Sequence, residues 1–145
     1  MPTIKTTIDI GASPETVWRV LTHFASYPKW NPFIREVRGE AQQGAKLKFR
    51  LRFSGKGSSW RASRVTKAIP AAELHWRAGV LFGLLLVREH SCIIIPNGVM
   101  GVKFIQREHM TGVLVPVIYP FVARKTRQAF EKMNAALKKI AETRR

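Results

Sequence analysis

The residues whose types and spacing could do chemistry lie in two short stretches. One is Glu89-His90-Ser91-Cys92-Ile93-Ile94 and the other is Phe104-Ile105-Gln106-Arg107-Glu108. Both read as β-strands, in which alternate side chains share a face. If Cys92 and Ile94 face inward, His90 shares their side; if Phe104 faces inward, Gln106 and Glu108 share its side. Adjacent strands would then gather His90, Gln106 and Glu108 on one wall. A His and a Glu within hydrogen-bond reach in apolar surroundings have perturbed pKa values and could move a proton on a bound carbonyl. The same pair serves equally to anchor two strands or to orient the polar end of a ligand. That second role is the one the residues favour, because no further group that would position a substrate is identifiable beside them. Trp76, between Leu74 and Ala78, belongs to the same inward face, as a lining or a filling residue. Cys92 reads as a small buried hydrophobe, since no cationic neighbour activates its thiol.

Other chemistries lack their parts. His23, His75, His90 and His109 have no metal-ligand spacing, so neither a metal nor a cofactor is expected. There is no phosphate-cradling glycine loop and no Gly-x-Ser-x-Gly elbow. A single cysteine cannot form an internal disulfide, and Met1 to Lys5 carries no apolar signal region, so a reducing cytoplasm is the expected location. The longest apolar runs, Val80 to Val87 and Val113 to Ala123, fall short of the roughly 20 residues that span a bilayer.

The elements that must position these residues can be read from periodicity. A chain of 145 residues suits one domain, residues 1–145. Thr3 to Ile10 alternates as a first strand. Ser13, Pro14 and Glu15 then give a helix start, with Val17, Trp18, Val20, Leu21 and Phe24 at helical spacing. Pro28 and Pro32 interrupt the helical pattern, so the second helix, around Phe24 to Trp30, is expected to be short. Six strands are expected at about 34–39, 45–53, 59–68, 73–80, 87–95 and 102–109, joined by short turns such as Gln42-Gln43-Gly44 and Pro96-Asn97-Gly98. From Pro116 the period is helical again to the end. The fold class is α+β: a curved antiparallel sheet of about seven strands wrapped around a long C-terminal helix, with two short helices after the first strand. The space between sheet and helix is either filled by large side chains or left as a ligand cavity.

The charge is strongly positive, with 25 Lys and Arg against 9 Asp and Glu, a formal +16. Such a field attracts nucleic acid, anionic lipid or acidic ligands. Its arrangement is a broad coating: Lys46, Lys48, Arg50 and Arg52 alternate with apolar residues on one strand, and Arg124, Lys125, Arg127, Lys132, Lys138 and Lys139 lie on the terminal helix. Aromatics are not interleaved with these cations on one face, so specific nucleic-acid binding is not expected.

Five motifs in order resemble the SRPBCC superfamily, the START-like or Bet v 1-like helix-grip domains that include polyketide cyclase/dehydrase and lipid-transport proteins. They are Ser13 to Trp18; Trp30-Asn31-Pro32-Phe33; Glu73-Leu74-His75-Trp76-Arg77-Ala78-Gly79; Glu89-His90-Ser91-Cys92; and Gly101 to Gly112. The chain departs from the pattern at Cys92, where Phe is usual, and at Lys103, where Thr is usual. The resemblance implies a pocket for a hydrophobic small molecule such as a lipid, sterol or polyketide. On that reading Trp76, His90, Cys92, Phe104, Gln106 and Glu108 from the sheet, with Ile118 and Phe121 from the helix, contact the ligand. Binding, with or without transport, is the first reading; a cyclase or dehydratase acting through His90 and Glu108 is the second. The apolar segments Val80 to Val87 and Gly112 to Phe121 are expected near the pocket mouth, as a gate that touches an anionic membrane, as an interface in a dimer or other oligomer, or as ordinary core.

Overall fold

The alternation of Ile4, Thr6, Ile8 and Ile10 with polar residues builds the first strand, β1 (Thr3–Ile10), in the computed structural model, which describes residues 2–53, 57–80 and 84–144. Helix α1 (Pro14–Thr22) comes next, capped as its sequence requires: the Ser13 hydroxyl oxygen accepts from the Thr16 N–H at 3.2 Å and Pro14 opens the first turn. A single 3₁₀ turn (Phe24–Ser26) and the one-turn helix α2 (Tyr27–Trp30) occupy the stretch that the prolines shorten. Six further strands complete the sheet: β2 (Ile34–Arg38), β3 (Lys46–Arg52), β4 (Ser58–Ile69), β5 (Glu73–Val80), β6 (Leu86–Pro96) and β7 (Val102–Thr111). Helix α3 (Val115–Thr143) closes the chain.

All neighbouring strands are antiparallel and form one sheet in the order β1-β7-β6-β5-β4-β3-β2, so the chain meanders from β2 to β7 and β1 adds to the far edge. This is the α+β helix-grip arrangement expected from the sequence. Register fixes which side chains share a row. Val65, Trp76, His90, Glu108 and Ile4 lie opposite one another across five strands, and Leu74, Cys92, Gln106 and Thr6 form the next row.

The corner between α2 and β2 is built by Asn31. Its buried side-chain oxygen accepts from the Phe33 and Ile34 N–H groups at 2.9 and 2.8 Å, which turns the chain into the sheet and aims Phe33 at the interior. Removing that acceptor strands two buried donors. Asn31→Ala is therefore expected to lower stability by about 2 kcal/mol, measured by urea unfolding.

Helix α3 does not lie along the middle of the sheet. It is anchored over β1 and β7: Arg127 and Lys138 donate to the Lys5 and Asp9 carbonyls at 2.7 and 2.8 Å, and Asn134 donates to the Thr6 hydroxyl at 2.9 Å. Its buried stripe runs through Thr126, Ala129, Phe130, Met133, Asn134, Leu137 and Ala141. The corner leading into it needs a glycine. Gly112 has φ 122°, and the Leu86 Cα stands 2.9 Å from where a Cβ would be. Because the helix sits over one side of the sheet, a hollow is left against the concave face of β3 to β5, although Leu47, Phe49, Val65, Leu74 and Trp76 on that face are buried. No helix among the described residues is long and apolar enough to cross a membrane.

Candidate functional site

The hollow on the concave face is a cavity of about 380 Å³. Its apolar wall comes from alternate residues of successive strands: Phe49, Leu51 and Phe53 at the β3 side, Trp76 and Ala78 on β5, and Leu86 on β6, with Phe33 and Ile34 at the start of β2. Period-two alternation puts these groups on one face, and the curl of the sheet turns that face into a hollow. Trp60, opposite Arg50 in register and 44% exposed, turns its ring to the outer face at the cavity rim, where the Arg38 guanidinium lies 4.6 Å from its centre.

Aromatic rings run around the hollow in a chain of contacts. Phe49 tilts against Trp76 at 4.8 Å between ring centres; Trp76 stacks on His90 at 4.4 Å with the planes 4° apart; His90 meets Phe130 edge to face at 4.9 Å. Phe130 touches Phe33 at 5.9 Å, and Phe33 touches Phe53 at 5.0 Å. Each pair adds stabilisation beyond the area it buries, so the wall is stiff.

Polar groups enter the cavity at a few places: Arg61, Ser63, Arg88, His90 and Glu108. Arg88 and Glu108 form an ion pair in which one carboxylate oxygen accepts from both Nε, at 3.0 Å, and Nη2. Their side chains are 23% and 10% exposed, so water screens the pair little. Ser63 Oγ is buried without a hydrogen-bond partner among the described residues, and His90 Nε2, which makes no well-formed hydrogen bond there either, has the Gln106 side chain as its polar neighbour. Polar atoms left in that state are the exception in folded proteins and mark a place where a ligand can complete the bonding.

His90 is neutral. Burial pushes its pKa from 6.5 down to about 3; the Gln106 side chain partly opposes the shift, and the charges of Arg88 and His75 add to it. Its folded pKa thus lies below the unfolded value. Between pH 6.5 and 3 the unfolded chain binds a proton that the folded chain refuses, and stability falls as the pH drops through that window. The slope approaches about 1.4 kcal/mol per pH unit below pH 6, or about 2 kcal/mol in all between pH 6.5 and 4.5. Comparing the urea stability of wild type and His90→Phe at the two values isolates this contribution, because the carboxylates titrate alike in both.

The eight residues expected to contact a ligand fall into three groups. Trp76, His90 and Glu108 share one cross-strand row and line the cavity. Cys92, Phe104 and Gln106 face the same side but are fully buried, Gln106 beneath α3, where it donates to the Asn134 side-chain oxygen at 2.6 Å. Burial pushes the Cys92 thiol above the range in which it would react as a thiolate. Ile118 packs partly buried on the core, and Phe121 is 82% exposed; neither lines the cavity, because α3 sits over β1 and β7. His90 and Glu108 are directly opposite in register, yet the Glu108 carboxylate is held by Arg88. Of the apolar mouth segments, residues 81–83 lie outside the described residues, while Leu84, Val113, Val117 and Phe121 are exposed.

Arg88, Ser63 and Arg61 were not among the expected residues. Arg88 has the same strand parity as His90, so the alternation carried its signal. Ser63 and Arg61 lie on β4, which is exposed along most of its length and shows no apolar alternation to read. A second polar chain, with Ser91 Oγ 3.1 Å from His75 Nδ1 and His75 Nε2 3.1 Å from Glu73, involves none of the cavity-lining residues. Lys67, whose Nζ is 3.0 Å from Glu73, together with His75 holds that carboxyl below its usual range. Among the described residues no group of three or more His, Cys, Asp or Glu side chains is placed to hold a metal ion.

Solved structures share this fold. A START superfamily protein from Mycobacterium smegmatis is 20% identical and superposes with a TM-score of 0.78 over 99% of both chains. An aromatase/cyclase from a Streptomyces species is 14% identical, with a TM-score of 0.79 over 99% of this chain and 94% of that one. Norcoclaurine synthase from Thalictrum flavum is 14% identical, with a TM-score of 0.71 over 96% and 92%. At these identities the likeness is one of fold. No curated protein matches the sequence. The family profile described as polyketide cyclase / dehydrase and lipid transport matches residues 1–142, and with nearly its whole length covered the chain belongs to that family.

Proposed function

We propose that the protein binds an apolar small molecule of lipid, sterol or polyketide type in the hollow of the sheet, with the ligand's polar end turned toward Ser63, His90 and the Arg88–Glu108 pair. The observation that carries this reading is the aromatic-walled cavity of about 380 Å³ with two buried polar atoms in its lining that make no well-formed hydrogen bond among the described residues. A mostly apolar hollow with a few convergent polar groups is the usual form of a small-molecule site. Titration with a neutral long-chain alcohol should give a saturable change in tryptophan fluorescence, since Trp76 lines the cavity. No saturable change, or an undiminished one when Trp76 is replaced by Phe, would place the ligand elsewhere.

The register pair His90 and Glu108 favours, as a second reading, a cyclase or dehydratase that moves a proton on a bound carbonyl. Binding is preferred because the neutral His90 carries no proton to donate as an imidazolium, and Arg88 already engages the Glu108 carboxylate. Turnover of a polyketide substrate that His90→Phe abolishes, with binding retained, would reverse that preference.

The reading extends to a peripheral contact with anionic membrane. Val113, Val117 and Phe121 repeat every four residues, all are exposed, and Arg124 and Lys125 come after them on α3. Co-sedimentation with vesicles containing phosphatidylserine, but not with pure phosphatidylcholine, is the expected outcome, and Val117→Asp with Phe121→Asp should reduce it severalfold.

A further inference from the structure

A second cavity, of about 340 Å³, lies beside the first, and Phe33 lines both. Its polar lining is cationic. Arg35 contributes from β2, Arg52 from the end of β3 and Lys132 from α3, with Gln128 and Pro32 completing the wall and no carboxylate among the lining residues. Arg35 is already positioned, since its guanidinium donates to the Asn31 and Pro28 carbonyls at 2.6 and 3.1 Å. The Arg52 backbone N–H donates to the Phe33 carbonyl at 2.9 Å, which ties this strand end to the shared wall. Among the described residues, the Arg52 and Lys132 side chains make no ion pair or hydrogen bond. Glu131, next to Lys132, is exposed and does not line the cavity.

Three positive charges around one hollow repel one another, and an anion placed among them relieves that repulsion. Guanidinium forks match the oxygens of phosphate, and an ammonium adds a mobile donor. We propose that this second cavity is a site for a phosphate-class anion, a phosphomonoester held by Arg35, Arg52 and Lys132. The anion comes either as the head of an amphiphile whose apolar part fills the first cavity or as free phosphate. The head-group form rests on the binding function proposed above.

Three probes separate the possibilities on the full chain in about 0.15 M salt: lysophosphatidic acid below its micellar concentration, the monoacylglycerol of the same chain length, and inorganic phosphate. Lysophosphatidic acid is expected to bind at least about tenfold tighter than the monoacylglycerol, the equivalent of one charge-assisted hydrogen bond. In Arg52→Ala with Lys132→Ala, both exposed and free to change without disturbing the core, the ratio should fall toward one while monoacylglycerol affinity holds. Lys139→Ala with Arg144→Ala, elsewhere on α3 and its cap, should leave the ratio intact. A rise in Tm with inorganic phosphate alone, lost in the Arg52 and Lys132 variant, would assign the site to free phosphate. A ratio near one in the wild type with no response to phosphate overturns the proposal, as does a preference that survives in the double variant. Failure of the apolar-ligand reading is a different result: the monoacylglycerol does not bind the wild type, whatever phosphate does.

Discussion

Replacing Ala78 by Trp is expected to weaken the binding of apolar ligands by about a hundredfold while leaving the fold in place. Ala78 lies on β5 two residues from Trp76, opposite Arg88 in register, with its side chain on the concave face and in the cavity lining. An indole at this position projects into empty space, so it meets no packed core, and aromatic side chains suit a strand. It would occupy part of a hollow of only about 380 Å³. A ligand that loses roughly 120 Å² of apolar contact loses about 3 kcal/mol, which is a factor of roughly a hundred in affinity. Urea unfolding of the same variant separates loss of the site from loss of the fold. Unchanged affinity in a folded variant would mean that the ligand lies outside this hollow.

Removing the Glu108 carboxylate should be the most destabilising polar change in the molecule. Glu108→Ala leaves the Arg88 guanidinium charged in a mostly buried position without the oxygen that accepts two of its donors. Breaking such a pair from one side costs about 4 kcal/mol. In a domain of this size that lowers Tm by roughly 10 °C or more. Replacing both partners with apolar residues, Arg88→Met with Glu108→Leu, should recover most of the loss, because no unpaired charge then remains buried. The cycle also bears on function. If the ion pair orients the polar end of a ligand, the stable double variant keeps affinity for hydrocarbons but loses discrimination for ligands that carry a polar group. Stability lost to the same extent in the single and double variants would show that packing, not charge, holds this row together.

The sheet was legible because its signals are local. Alternation of apolar and polar residues sets each strand's inward face, and glycine and proline punctuate the turns, so expected and observed strand limits differ by about three residues or fewer. The row of Trp76, His90 and Glu108 was legible for the same reason, since parity is preserved when neighbouring strands pair. What parity cannot tell is where along a strand the covering helix lies. Gln106 has the correct parity but lies under α3, whose position is set by tertiary contacts such as Asn134 with Thr6 and Arg127 with the Lys5 carbonyl, and Cys92 is buried on β6, over which α1 packs.

Helical phase explains Phe121 in the same physical terms. The buried stripe from Ala141 back to Thr126 steps by three or four residues and leads on toward Val122 and Tyr119, leaving Phe121 turned to solvent. The second cavity was invisible in the sequence because Arg35, Arg52 and Lys132 are far apart in the chain. They meet only when β2, β3 and α3 converge at Phe33.

Native mass spectrometry of the full chain after mild extraction tests most directly whether the hollow holds an apolar molecule. The expected result is a bound species of a few hundred daltons in the wild type, released on unfolding, and its loss in Ala78→Trp. A wild-type chain that stays bare and takes up no apolar molecule on incubation, or an adduct retained undiminished in Ala78→Trp, would contradict it.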